Sequence, residues 1–420
     1  MNRFRLLAVS LLNFANGLGD SAAGALLPSI QKQYDLTYAT VSLIFVGQAL
    51  GYILAAPVID AVRERFGRSK TLAATQLLLA VGIIPLIVTA PYPLVVLSFF
   101  VFGICESFNL AIGNVFCGSL SNGTTALGIM HGAYGIGGTV GPLIATTLVT
   151  RTTAVWGFYY FIVVGFALLN CCFSAWCFWS YETETTKRAT GSAGLAEAGQ
   201  AGMFDEEAII MGRQHAMSRD SGAVASLYGV LSAAATKVVL LGALFLFCYQ
   251  GAEVSVSGWV LTFLLDHRNG DQKTVGYVTS GFWGGITLGR FLLSTPAQWI
   301  GEKRFVYGLA VLAGVFQLIV WLVPNIIADF VAVAILGFLL GPIYPCAAAV
   351  FMRAMTRDEQ VRGMVIMSAF GSSGGAAAPF TTGLLAHAVG TFVLHPIAVS
   401  LYAVMLVCWY FLPGHPMNRN

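Results

Sequence analysis

The chain has 420 residues, of which 57% are hydrophobic and only 10% charged. A soluble domain typically carries about 25% charged residues, so this composition excludes one. The formal net charge of +3 is too small to indicate a nucleic-acid partner.

A helix crossing a bilayer uses about 20 mostly apolar residues. Twelve such runs occur in chain order, near 6–30, 38–60, 71–90, 93–118, 126–150, 156–180, 238–265, 274–296, 304–323, 329–352, 361–388 and 392–413. The first follows Arg3 and Arg5, as the core of a signal peptide would. Its length and its interruption by Asn13, Asn16 and Asp20 identify a retained spanning helix instead. Most links are short, such as Ala90-Pro91-Tyr92-Pro93. The exception, 181–236, is rich in Ala, Gly and Ser and reads as a flexible cytoplasmic linker between bundles at 1–180 and 237–420. A short amphipathic helix at Phe204–Met217 is compatible with that reading. The expected fold is an all-α membrane protein with twelve transmembrane helices in two pseudo-symmetric six-helix bundles.

Basic residues orient the chain, because cytoplasmic links carry the excess of Lys and Arg. Lys32, Arg151, Arg268 and Lys273 fall on one side, and the other Lys and Arg residues of the 22 fall on the opposite side. Both termini are therefore expected in the cytoplasm, and the plasma membrane is the expected location. Arg290 is assigned to the cytoplasmic end of the eighth helix, which leaves no cation near the middle of any span. The eight cysteines fall within spans without metal-ligand spacing and read as small buried hydrophobes. Asn122-Gly123-Thr124 matches a glycosylation acceptor, but this topology places it in the cytoplasm.

Three acids lie well inside spans: Asp20 in the first, Glu106 in the fourth and Glu253 in the seventh. Each costs about 2.5–3.5 kcal/mol at a helix centre on insertion scales. A solitary mid-span carboxyl faces a water-filled cavity, carries a proton for part of a cycle, or stays neutral against a neighbouring helix. The first two readings make Asp20, Glu106 and Glu253 candidate proton-coupling residues. Asn16, Asn109 and Gln250 stand one turn from these acids and extend polar stripes on the same helices. His131 and Tyr134 share a face of the fifth helix, and Tyr344 sits between two prolines in the tenth. All six are candidate solute ligands. His131 is equally read as a packing histidine. Trp259 and Trp283 offer flat faces for a sugar ring, though packing is the commoner use of such residues.

The two halves echo each other. Phe14-Ala-Asn16-Gly-Leu-Gly-Asp20 matches Phe247-Cys-Tyr249-Gln250-Gly-Ala-Glu253, each with a carboxylate six residues after a Phe. The run from Ala133 to Pro142 matches that from Ala369 to Pro379. Gly-x-x-x-Gly pairs concentrate in helices 2, 5, 8 and 11, at 47/51, 128/132, 137/141, 281/285, 285/289 and 371/375, with 337/341 in helix 10. This spacing lets backbones approach closely. It predicts that these helices line a sliding seam between the halves through their glycines.

The link Asp60-Ala-Val-Arg63-Glu64-Arg65-Phe-Gly67-Arg68-Ser-Lys70 is similar to the gating loop of the major facilitator superfamily, with Ser69 as a departure. Gly-Leu-Gly-Asp20 with Leu27-Pro28, Cys105-Glu106-Ser-Phe-Asn109 and Gly341-Pro342-Ile-Tyr344-Pro345 resemble its fucose permease-like branch. So do His131-Gly-Ala-Tyr134-Gly-Ile-Gly137 and Gly251-Ala-Glu253…Gly258-Trp259. Measured from Leu27-Pro28, Asp20 lies about one turn earlier than the branch's acid. The resemblance implies that helices 1, 4, 7 and 10 line a central cavity, that Asp60, Glu64, Arg65 and Arg68 serve a gate, and that a sugar or similar polar solute is taken up with protons by alternating access. The alternative is a proton-driven exporter of drugs or metabolites. Gly128, Gly137 and Gly141-Pro142 resemble the antiporter signature, but Ala145-Thr146 replaces its closing glycines. No phosphate loop or metal cluster appears, so neither an enzyme nor a cofactor is expected. The expected partners are solute, protons and lipid, with the monomer as functional unit.

Overall fold

The structure, a computed structural model, describes residues 1–120, 123–152, 154–184, 236–355 and 357–412. Most of the expected linker, its helix at 204–217 and Asn122 lie outside the described residues. Among those described, the chain forms helices joined by tight turns. The N-terminal half contains α1 (Asn2–Tyr34), α2 (Leu43–Ala55), α3 (Ile59–Gly82), α4 (Tyr92–Gly118), α5 (Gly123–Arg151) and α6 (Tyr160–Phe178). The C-terminal half contains α7 (Lys237–His267), α8 (Val278–Ile300), α9 (Glu302–Leu322), α10 (Ile326–Leu340), α11 (Arg357–Val389) and α12 (Leu394–Phe411). Past a break at Gly341-Pro342, α10 resumes as Ile343–Ala354. A kink at Gly67, where φ is +76°, divides α3.

Among the described residues, eight helical stretches are long and apolar enough to cross a membrane; one of them joins α2 to α3. The first helix, α1, is not among them, because Asn13, Asn16 and Asp20 dilute its apolar content.

Helix pairings repeat between the halves. In the first, α1 packs on α5 and α6, α2 on α4, and α3 on α6. In the second, α7 packs on α11 and α12, α8 on α10, and α9 on α12. The two halves are therefore bundles of one pattern.

Glycines set the closest of these pairings, and they correct part of the seam expectation. A Cβ on Gly137 would lie 2.1 Å from the Phe14 carbonyl oxygen, and one on Gly374 2.1 Å from that of Phe247. A Cβ on Gly51 would lie 1.9 Å from the Phe100 carbonyl, and one on Gly285 2.1 Å from that of Ala334. The repeated glycines thus join α1 to α5, α7 to α11, α2 to α4 and α8 to α10, all inside one bundle. Gly47 and Gly51 face α4 rather than α11. We expect Gly137→Ala to force α1 and α5 apart, costing about 1–3 kcal/mol or more as overpacking. A lowered melting temperature of the purified protein would register it.

The seam still follows α2 against α11 and α5 against α8, with α1 meeting α7. Trp283, Thr287 and Phe291 of α8 lie against Gly138, Gly135 and Gly132 of α5. Nearer the end that bears the α1–α2 and α7–α8 turns, Tyr38 Oη donates to Asp266, and Thr146 Oγ1 donates to the Gly276 carbonyl at 2.8 Å. There the backbone of Gly24 in α1 lies directly on that of Ser257 in α7.

Candidate functional site

The acids of α1 and α4 converge. Gln48 of α2 donates from Nε2 to Asp20 Oδ1 and, at 3.2 Å, to Glu106 Oε2. Tyr134 Oη of α5 donates to Asp20 Oδ2 at 2.7 Å. The two carboxyl groups are also within hydrogen-bonding reach of each other. Both acids are only half-buried, so water reaches them. Neither sits on a distorted segment: α1 and α4 run as continuous helices through Asp20 and Glu106, which places both heads at the seam.

Tyr134 ties this pair to the other bundle. Its ring meets Trp283 edge-on at 5.9 Å between centroids, and its hydroxyl lies within electrostatic reach of Glu253 as well as Asp20 and Glu106. Asp20 and Glu106 thus border a chamber at the seam, with Glu253 buried beyond Tyr134. Trp283 is buried, and its indole N–H has no hydrogen-bond partner among the described residues.

Glu253 is buried beside Tyr249, and its Oε2 has no hydrogen-bond partner among the described residues. Arg290 of α8 acts on Glu253, Tyr249 and Tyr134, and also on His131 across the seam. This corrects the expectation that no cation lies near the acids, in the case of Glu253. The expected span ends near residue 296, whereas α8 runs to Ile300, so Arg290, one turn beyond Thr287, lies well inside the helix. Tyr344 lies 6.1 Å ring to ring from Tyr249 and within reach of Glu253, and Tyr52 of α2 lies within reach of Asp20, Glu106 and Tyr344. Gln48 and Tyr52 were not singled out by the sequence, because uncharged polar residues in an apolar run are common.

Other candidates are placed differently. Asn109 Nδ2 donates to Asn16 Oδ1 at 3.0 Å, and Gln76 Nε2 donates to Asn109 Oδ1 at 3.0 Å. These three buried amides form a chain inside the first bundle, away from the seam. Gln250 lies against Gly371 of α11. Trp259 is fully buried, donates its N–H to the Pro379 carbonyl at 2.9 Å and meets Tyr38 edge-on. His131 shares a hydrogen bond of 3.1 Å with Asn114 of α4, at the Arg290 side of the chamber.

The loop around Gly67 is held within its own bundle. The Arg68 backbone N–H donates to Glu182 Oε1 at 2.7 Å, and the Arg68 guanidinium lies 4.6 Å over the Tyr181 ring. Asp60 pairs with Arg63 one turn on at 2.8 Å and is largely exposed, as are Glu64 and Arg65. The Arg5 guanidinium also lies over Tyr181, 4.9 Å from its centroid, and reaches Glu184 at 2.8 Å. The start of α1, the kink in α3 and the chain just past α6 are thus clasped together.

Comparison with known proteins agrees with this architecture. The chain is 26% identical over 435 residues to the Saccharomyces cerevisiae protein called Bypass of stop codon protein 6, covering 98% of this chain and 84% of that protein. It is 27% identical over 179 residues to a glucose/galactose transporter of Brucella abortus, covering 42% of each. The crystal structure of the E. coli fucose:proton symporter superposes with a TM-score of 0.62, covering 98% of both chains at 14% identity. The profile of the Major Facilitator Superfamily matches residues 9–379 and 243–420. Two bundles of one helix pattern, a chamber of polar groups on the seam between them and this match leave one assignment: the chain belongs to the Major Facilitator Superfamily and is a multi-pass membrane transporter.

Proposed function

We propose that the protein takes up a sugar-sized polar solute together with protons, by rocking its two bundles about the central chamber. The observation that carries this reading is the meeting of Asp20 and Glu106 at the seam, half-exposed and bridged by Gln48. A carboxyl pair that water can reach and a single proton can neutralise in part is what coupling requires. Tyr134 connects them to the opposite bundle, so proton binding and bundle contact act on the same side chain. The unpartnered N–H of Trp283, Glu253 Oε2 and the neighbouring Tyr52, Tyr249, Tyr344 and Arg290 offer the donors and acceptors that a polyhydroxylated solute requires. The names of the Brucella and E. coli relatives, a glucose/galactose transporter and a fucose:proton symporter, support a sugar as solute.

In this reading the end bearing the α1–α2 and α7–α8 turns faces outward, the termini face the cytoplasm, and the clasp of Arg68 with Tyr181 and Glu182 steadies the cytoplasmic end of the first bundle. The plasma membrane is the site of action, and the monomer is the unit. A membrane potential of 100 mV supplies about 2.3 kcal/mol per proton, enough for about fifty-fold accumulation.

Reconstitution into liposomes tests this directly. With L-fucose, D-glucose and D-galactose as probes, an inward pH gradient should drive uptake of at least one above its external concentration. Uptake that ignores the gradient would mark a uniporter. Proton-driven expulsion of hydrophobic amphiphiles, without sugar movement, would mark an exporter.

A further inference from the structure

Gln48 belongs to no motif, yet it is the group that holds the two coupling acids together. Its amide nitrogen has two N–H donors and no acceptor capacity. One N–H goes to Asp20 Oδ1 and the other to Glu106 Oε2. Tyr134 occupies Asp20 Oδ2 as a second donor. Both oxygens of Asp20 thus accept hydrogen bonds, which suits a carboxylate. Glu106 stands within hydrogen-bonding reach of Asp20 and receives no donor besides Gln48 among the described contacts. Among the described residues no donor reaches the other Glu106 oxygen, which leaves Glu106 free to carry a proton shared with Asp20.

We infer that Asp20 and Glu106 hold a single proton between them, resident on Glu106, and that Gln48 is a positioning residue for that proton. The inference rests on the proton-coupled reading above and adds the number of protons, their location and the residue that fixes both. When Glu106 releases its proton to chamber water, two carboxylates remain side by side, each with one Gln48 N–H. One proton relieves their repulsion, while a second, on Asp20, would displace the donor Gln48 or Tyr134. The other titratable groups facing the pair are Tyr52 of α2, Tyr134 of α5, Tyr160 of α6 and, through Tyr134, Glu253 of α7. The tyrosines are ordinarily neutral in this range, so the count is set by the two acids.

The experiment uses purified full-length protein and infrared difference spectra between about pH 5 and about pH 8, together with sugar uptake in liposomes. One protonated-carboxyl band is expected from the pair, lost in Glu106→Gln and not matched by a second band lost in Asp20→Asn. Gln48→Leu, which keeps volume and removes both donors, should shift the pH profile of that band and lower driven uptake about tenfold, the scale of one charged hydrogen bond. Separate bands lost in Asp20→Asn and in Glu106→Gln would overturn the shared proton. A Gln48→Leu protein with the wild-type pH profile would overturn the positioning role. If Gln48→Leu does not fold, the comparison of the two acid variants still decides the proton count. Wild-type uptake indifferent to a pH gradient, with the single band present, would sink the coupled-uptake reading and leave the shared proton standing.

Discussion

Glu106→Gln should abolish concentrative uptake while solute exchange survives. Glutamine copies the protonated acid: its carbonyl oxygen accepts from Gln48 Nε2, and its amide donates toward Asp20, as the carboxylic O–H would. The variant is therefore a transporter fixed in the loaded state. Exchange of labelled for unlabelled sugar needs only loaded bundles rocking back and forth, so counterflow persists. Net uptake against a gradient needs the proton to leave, so the ratio of internal to external solute should fall from tens-fold to about one. Asp20→Asn makes a useful contrast. Both Asp20 oxygens accept hydrogen bonds from Gln48 and Tyr134, and an amide nitrogen in either position would set donor against donor. That variant should lose exchange as well as driven uptake. Parallel assays of uptake and counterflow separate the two patterns, and concentrative uptake by Glu106→Gln at the wild-type level would remove Glu106 from the coupling step.

What the sequence disclosed follows the energetic cost of each residue. A carboxyl in mid-span is so expensive that Asp20, Glu106 and Glu253 stand out unaided; the first two meet at Gln48, and Tyr134 stands between them and the third. Amides cost less and signal less. Asn16 and Asn109 share helices with the acids, yet they turn inward to Gln76, whereas Gln48, in an unremarked part of α2, reaches the chamber. A stripe read from spacing places residues on one side of a helix but does not say which of two neighbours lies opposite. The same limit explains the glycines. Their spacing reports that a backbone comes close, and it does: α5 touches α1 and α11 touches α7 within 2.1 Å of an added Cβ. The identity of the approaching helix depends on how six rods are arranged, which no local pattern contains. Arg290 is the third case, because the expected span end near residue 296 falls short of Ile300, where α8 closes.

Gly24 should be the residue on which closure of the α1–α7 contact depends. It lies one turn from Asp20 toward the end bearing the helix turns, where α1 of one bundle meets α7 of the other. An added Cβ would sit 2.1 Å from the Ser257 carbonyl oxygen, 3.0 Å from its carbon and 3.1 Å from Gly258 Cα. All three atoms are backbone in a continuous helix, so no rotamer relieves the clash. Ordinary carbon–oxygen contact needs about 3.3 Å, and the bundles would have to part by more than about 1 Å at this point. Because the obstruction is the Cβ itself, Gly24→Ala and Gly24→Val should act alike, arresting the protein with this end open. Exchange and driven uptake should then both fail, unlike in Glu106→Gln, because both require the contact to re-form. Nearby Phe45 packs its ring over Gly258 across the same contact. A cysteine in place of Phe45, in a background lacking exposed Cys172, should react slowly with a membrane-impermeant maleimide when Gly24 is present and rapidly when it is Ala. Gly128→Ala, whose Cβ would meet nothing within 4 Å, serves as the control that should leave labelling unchanged. Equal protection in Gly24→Ala, with transport intact, would show that α1 and α7 part freely and that the seam closes elsewhere.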